Sequence, residues 1–110
     1  MAMQLSSDLM DGLVLSLLSS EDLYGYALTK QVQERFSVSE STMYPVLRRL
    51  KAKGWVTTYD EPFEGRNRRY YKISDDGRAE MTRVQEEWRV FSHNVNDLMM
   101  PAEGEKVDGK

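Results

Sequence analysis

Residues 39–74 read SESTMYPVLRRLKAKGWVTTYDEPFEGRNRRYYKIS, and the architecture of the chain turns on them. Met43, Val46, Leu47 and Leu50 share one side of a helix over Glu40–Lys53, the side that packs. Ser39 or Ser41 is placed to cap that helix, and Gly54 to stop it. After Gly54 the period changes. Trp55–Tyr59 and Arg69–Ile73 are rich in β-branched and aromatic residues, and both read as strands. The connection between them, with Pro62 and Gly65, reads as too long for a two-residue hairpin and is expected to project as an arm.

On the N-terminal side, Leu5, Leu9, Leu13 and Leu17, joined by Met10, Val14 and Leu18, predict a helix over Gln4–Leu18. Ser20 or Asp22 is positioned to cap a second helix, Tyr24–Arg35, along which Tyr24, Leu28, Val32 and Phe36 recur every four residues. On the C-terminal side, Ser74 or Asp75 opens a last helix that ends before Pro101. The order is helix, helix, helix, two-stranded hairpin, long helix. That is a mainly α chain with a small β-hairpin (α+β). The expected units are a winged helix-turn-helix over residues 4–74, a dimerisation helix over 75–100 and a disordered acidic tail over 101–110.

Composition narrows the function. The 110 residues, 40% hydrophobic and 30% charged, suit one compact soluble domain. No apolar run approaches the roughly 18 residues a membrane span needs, and no signal-peptide pattern opens the chain. There are no cysteines, which removes disulfides and thiolate chemistry and fits a reducing cytoplasm. No nucleophile–base pattern, phosphate-cradling glycine loop or paired carboxylates stand out, so neither an enzyme nor a cofactor is expected. His93 has no second histidine or cysteine with which to hold a metal, and none is expected.

The net charge of −3 conceals a strong asymmetry. From Arg48 to Lys72 eight basic residues (Arg48, Arg49, Lys51, Lys53, Arg66, Arg68, Arg69, Lys72) stand against three acidic ones (Asp60, Glu61, Glu64). From Asp75 onward acidic residues predominate. One cationic working surface is implied. On the third helix Ser41, Tyr44, Pro45 and Arg48 fall opposite the packing side, with Arg49 at its edge. A hydroxyl, a phenol and guanidinium groups suit phosphate oxygens and base edges in a major groove. Pro45 removes a backbone donor inside the helix, a local cost that calls for a reason. Arg66, Arg68 and Arg69 crowd the arm, where they can follow a phosphate backbone or enter a minor groove. Double-stranded DNA is therefore the expected partner.

These residues together resemble the PadR-type transcriptional regulators, in the short branch with a single C-terminal helix. The resemblance runs through Tyr24-Gly25-Tyr26, Thr42–Leu50, Lys53-Gly54-Trp55-Val56, Gly65–Ser74 and Gly77. Where the family commonly has proline in the wing this chain has Asn67, and Arg69 stands where lysine is frequent. The resemblance implies a dimeric repressor on an inverted-repeat operator. It also implies that Ser41, Tyr44 and Arg48 are recognition-helix contacts and Arg66, Arg68 and Arg69 wing contacts.

Met81, Val84, Trp88, Phe91, Val95 and Leu98 recur at alternating spacings of three and four, a heptad seam that predicts pairing with a second copy. Trp88 is large for a tight two-helix contact, which leaves two readings open. It is either a packed interface tryptophan or, with Leu13, Leu17 and Phe91, the lining of a site for a flat aromatic effector, as in some multidrug-binding relatives. Two other functions remain as alternatives: a winged-helix protein–protein adaptor without DNA binding, and a ligand sensor whose DNA contact is secondary.

Overall fold

The computed structural model describes residues 3–101, so all but the first residue of the acidic tail expected over 101–110 lies outside the described residues. Four helices and three short strands follow in the order α1 (Ser7–Ser20), β1 (Leu23–Tyr24), α2 (Gly25–Gln33), α3 (Glu40–Ala52), β2 (Val56–Phe63), β3 (Arg66–Ile73) and α4 (Asp75–Met99). The sheet is antiparallel with β3 central, in the order β1-β3-β2. This is a winged helix with a long helix appended.

The apolar periodicities of the sequence become one core. Val14, Leu15 and Leu18 of α1, Leu28 and Val32 of α2, and Met43, Leu47 and Leu50 of α3 bury together against Val56 and Ile73 of the sheet. Burying side chains of this size contributes about 1.5–3 kcal/mol each. Ser6, Ser39 and Ser74 cap α1, α3 and α4, each accepting from the backbone N–H three residues on. The Ser74 hydroxyl also donates to the Gly54 carbonyl at 2.6 Å, tying the start of α4 to the end of the recognition segment.

Three expectations are corrected. Neither Ser20 nor Asp22 caps α2: Tyr24 occupies the cap position with no side-chain bond, because Leu23 and Tyr24 are drawn into the sheet opposite Tyr71 and Tyr70. The wing connection is not a long loop. Phe63 pairs with Arg66, and Glu64 (φ 51°) and Gly65 (φ 79°) form a two-residue turn of the type whose twist matches the strands. Pro62 is accommodated because β2 is an edge strand, where a missing N–H costs no ladder bond.

The third correction concerns the seam on α4. Val84 is buried within the protomer, against α1, and Met81 packs on the same core. Gly12 makes that approach possible, since a methyl there would stand 2.5 Å from Val84 Cγ1. Arg83–Asp8 (3.9 Å) and Gln85–Ser16 (3.4 Å) flank the contact. Trp88, Phe91 and Leu98 continue the seam into solvent, with Val95 half-buried.

Candidate nucleic-acid interface

α3 and the hairpin carry the basic side chains that the sequence singles out. On α3, Ser41, Tyr44, Pro45 and Arg48 are all exposed, on the side opposite the buried Met43, Val46, Leu47 and Leu50. The Ser41 hydroxyl lies 2.8 Å from that of Ser39, so both sit in the cap network at the helix N-terminus. Pro45 is the sixth residue of an unbroken helix and removes the donor that would take the Ser41 carbonyl. That carbonyl is left at the exposed start of α3.

Arg48 and Arg49 are neighbours in sequence but about 100° apart around the helix. Arg48 projects outward, and among the described residues it has no acidic partner. Arg49 turns inward to bond the carboxylate of Asp11 on α1, whose side chain is only 7% exposed. Arg49 is thereby set apart from the outward group to which its sequence position assigned it. The missed signal is Asp11 itself, a lone acid between the apolar residues Met10 and Gly12-Leu13.

The hairpin separates its side chains by alternation. Tyr71 faces the core, burial pushes its phenol up, and the Arg69 guanidinium pulls the other way. The Tyr44 phenol adds a smaller upward push. Arg69 shares that face, with its Nε 3.3 Å from Asp60 of the neighbouring strand. Tyr70 lies on the opposite face, between Tyr24 (5.8 Å between ring centres) and Tyr59 (5.4 Å). The Tyr59 hydroxyl donates to Asp22 at 2.6 Å, which holds the phenol protonated and pushes its pKa up to about 12.

Arg68 is stacked on the same face, its guanidinium carbon 4.0 Å from the Tyr24 ring centre and 3.5 Å from that of Phe63. The rings take its faces and leave its N–H edge. Arg66 stands exposed at the tip beside the turn. Arg48, Arg66 and Arg69 are thus exposed, as are Ser41, Tyr44 and Pro45, and Arg68 doubles as a strut between wing and β1.

The four residues considered for an effector are not gathered in one cavity of the single chain. Leu13 and Trp88 border a groove of about 400 Å³ along α1 with Leu5, Leu9, Phe36 and Val84. Leu17 opens into an adjoining groove between α1 and α2, and Phe91 lies one turn past Trp88, its ring centre 6.1 Å away. His93 is exposed and pairs with Asp97 at 3.3 Å. Among the described residues no three His, Asp or Glu side chains gather to hold a metal ion, and no helix is long and apolar enough to cross a membrane.

A winged helix with an exposed polar side on its third helix and an arginine-rich hairpin has the architecture of the DNA-binding transcriptional regulators. Residues 14–83 match the transcriptional regulator PadR-like family, and the chain belongs to that family. Its members are transcriptional regulators that bind DNA, not enzymes. The chain is 31% identical over 96 residues to an uncharacterized protein of Lysinibacillus sphaericus, covering 83% of this chain and 87% of that one. It is 34% identical over 65 residues to the transcriptional regulator Rv3488 of Mycobacterium tuberculosis, covering 58% and 61%. Among solved structures, smu.1704 from Streptococcus mutans superposes with a TM-score of 0.83 at 29% identity, covering 96% of this chain and all of that one. A PadR family regulator from Clostridium difficile superposes with a TM-score of 0.74 at 33% identity, covering 80% and 95%.

Proposed function

We propose that the protein is a homodimeric repressor that reads an inverted-repeat operator with α3 and grips the flanking backbone with its wing. The observation that carries this reading is that Ser41, Tyr44 and Arg48 stand exposed on the side of α3 away from the core, while the hairpin that follows carries the exposed Arg66 and Arg69 and the stacked Arg68. Arg48 is suited to a guanine edge, and Ser41, Tyr44, Arg66, Arg68 and Arg69 to phosphates or a minor groove. A protein–protein adaptor would expose an apolar stripe where this surface is polar and charged.

Dimerisation is supported by the bare half of α4, where Trp88 is 47%, Phe91 61% and Leu98 87% exposed. Bare apolar residues at heptad spacing favour a partner helix, and the groove along α1 beside Trp88 is apolar too. A twofold pair would set two recognition helices one DNA turn, about 34 Å, apart. Repression itself is carried over from the family resemblance. A flat aromatic effector at Trp88 would relieve it only by binding one spacing of the recognition helices better than the other. Quenching of Trp88 fluorescence, absent in Trp88→Phe, is the check on that part.

Selection of bound duplexes from a random pool tests the main reading. The expected outcome is an enriched palindrome whose half-site centres lie about 10 base pairs apart. Enrichment of asymmetric sites, or of none, overturns it.

A further inference from the structure

α1 touches both the recognition helix and the long C-terminal helix within two consecutive residues. Asp11 bonds Arg49 of α3, and Gly12 receives Val84 of α4. Among the described residues Asp11 and Thr29 are the buried polar side chains, and Arg49 is the hydrogen-bond partner of Asp11. Burial pushes its carboxyl up while Arg49 pulls it down, and the nearby carboxylates of Asp8 and Glu80 add to the upward push. A buried carboxylate is costly unless its partner is held in place. The arginine that satisfies it comes from the helix position next to Arg48.

We propose that Asp11 and Arg49 form a lock that positions the outward face of α3, with Arg49 acting through Asp11 and not as a contact to nucleic acid. One guanidinium anchored on α1 fixes the rotation of α3 about its axis. That rotation sets where Tyr44 and Arg48 point. Arg49 is thus a positioning residue, and α1 is the part through which the seating of α4 reaches the recognition face. This deepens the DNA-binding reading of α3 and rests on it for its second readout only.

The test uses Asp11→Asn, Arg49→Gln, Arg49→Lys and the double variant Asp11→Asn/Arg49→Gln. In DNA-free protein, amide hydrogen exchange across residues 40–52 should rise about tenfold in either neutralising single variant. It should rise no further in the double variant and recover in part with Arg49→Lys. Exchange that stays at the parent's level, or adds up in the double variant, overturns the lock. Should Asp11→Asn fail to fold, the two Arg49 variants, altered at the more exposed end of the pair, still decide it.

Operator affinity is then measured across a salt series. Both Asp11→Asn and Arg49→Gln should bind about tenfold more weakly with the salt slope unchanged. Removing a negative charge at Asp11 would tighten binding if only the overall field mattered, so weakening in that variant separates the two explanations. A slope shallower by about one in Arg49→Gln, with Asp11→Asn unchanged or tighter, makes Arg49 a phosphate contact and refutes the proposal. If the parent selects no operator, the DNA reading falls, and the exchange data still decide the lock.

Discussion

Along α4 one apolar rhythm meets two environments. Around Met81 and Val84 the helix lies on α1, with Val84 buried against Gly12, Met81 packed on the core, and Arg83 and Gln85 reaching across to Asp8 and Ser16. From Trp88 to Leu98 the same spacing continues, yet Phe91 and Leu98 are more than half exposed. A heptad period reports that a face is to be covered, and it is silent on what covers it. For the first half the cover is α1. For the second, in the function proposed above, it is a second copy.

Charges placed on the bare half should separate assembly from folding. Phe91→Glu with Leu98→Glu is expected to leave each protomer folded and to abolish self-association. With one recognition helix per particle, operator affinity should drop by about 10²–10⁴-fold. Sedimentation and gel-shift titration check this, and a folded variant that remains dimeric assigns the interface elsewhere. Val84→Glu should behave differently. The residue is 4% exposed inside the protomer, so an uncompensated charge there is expected to cost about 3–5 kcal/mol of folding stability. Denaturant unfolding at low concentration reads that loss, and a folded monomer of parental stability would place Val84 back in the interface.

Gly12→Ala probes the seat of the embedded half more gently. The added methyl meets Val84 Cγ1, the end of a short β-branched side chain with little freedom to move aside. Overpacking of this kind is expected to cost about 1–3 kcal/mol. The same substitution should loosen α4 on α1 without touching the bare stripe. Thermal unfolding checks the loss, and a fully stable variant would show that α4 is free to slide.

The elements legible in the sequence are those whose signals are local and redundant. α3 carries an apolar stripe, a serine cap and a glycine stop, and it runs from Glu40 as expected. α4 opens at Ser74 and closes before Pro101 for similar reasons. What escaped depends on distant partners. β1 is two residues long and exists because Tyr70 and Tyr71 pair with it, while nothing around Leu23 announces a strand. The wing turn was obscured because Glu64 takes a positive φ that asparagine or glycine would have signalled. At the candidate site, the exposed group on α3 followed from helical geometry alone. The inward turn of Arg49 did not, because its cause lies 38 residues earlier in Asp11.

The weakest contrast between the two halves of α4 is electrostatic. On the embedded half Arg83 bonds Glu80 at 2.7 Å and Glu87 at 2.6 Å, with Asp8 of α1 nearby. The Glu80 side chain is 13% exposed. On the bare half Arg89 bonds Glu86 at 2.6 Å, with both side chains well in water. Arg83 holds the Glu80 carboxyl below its ordinary value of 4.5, and Arg89 does the same to Glu86. A carboxyl depressed in the folded state stabilises above its unfolded pKa, and that contribution is lost as pH falls through the folded value. Glu80→Gln should therefore lower Tm by about 1–2 °C at neutral pH, and the gap from the parent should close as the pH falls below the ordinary carboxylate range. Glu86→Gln should produce no measurable shift at either pH, because water and salt screen an isolated exposed pair. Equal shifts in the two variants would mean that the packing of α4 on α1 lends its ion pairs nothing.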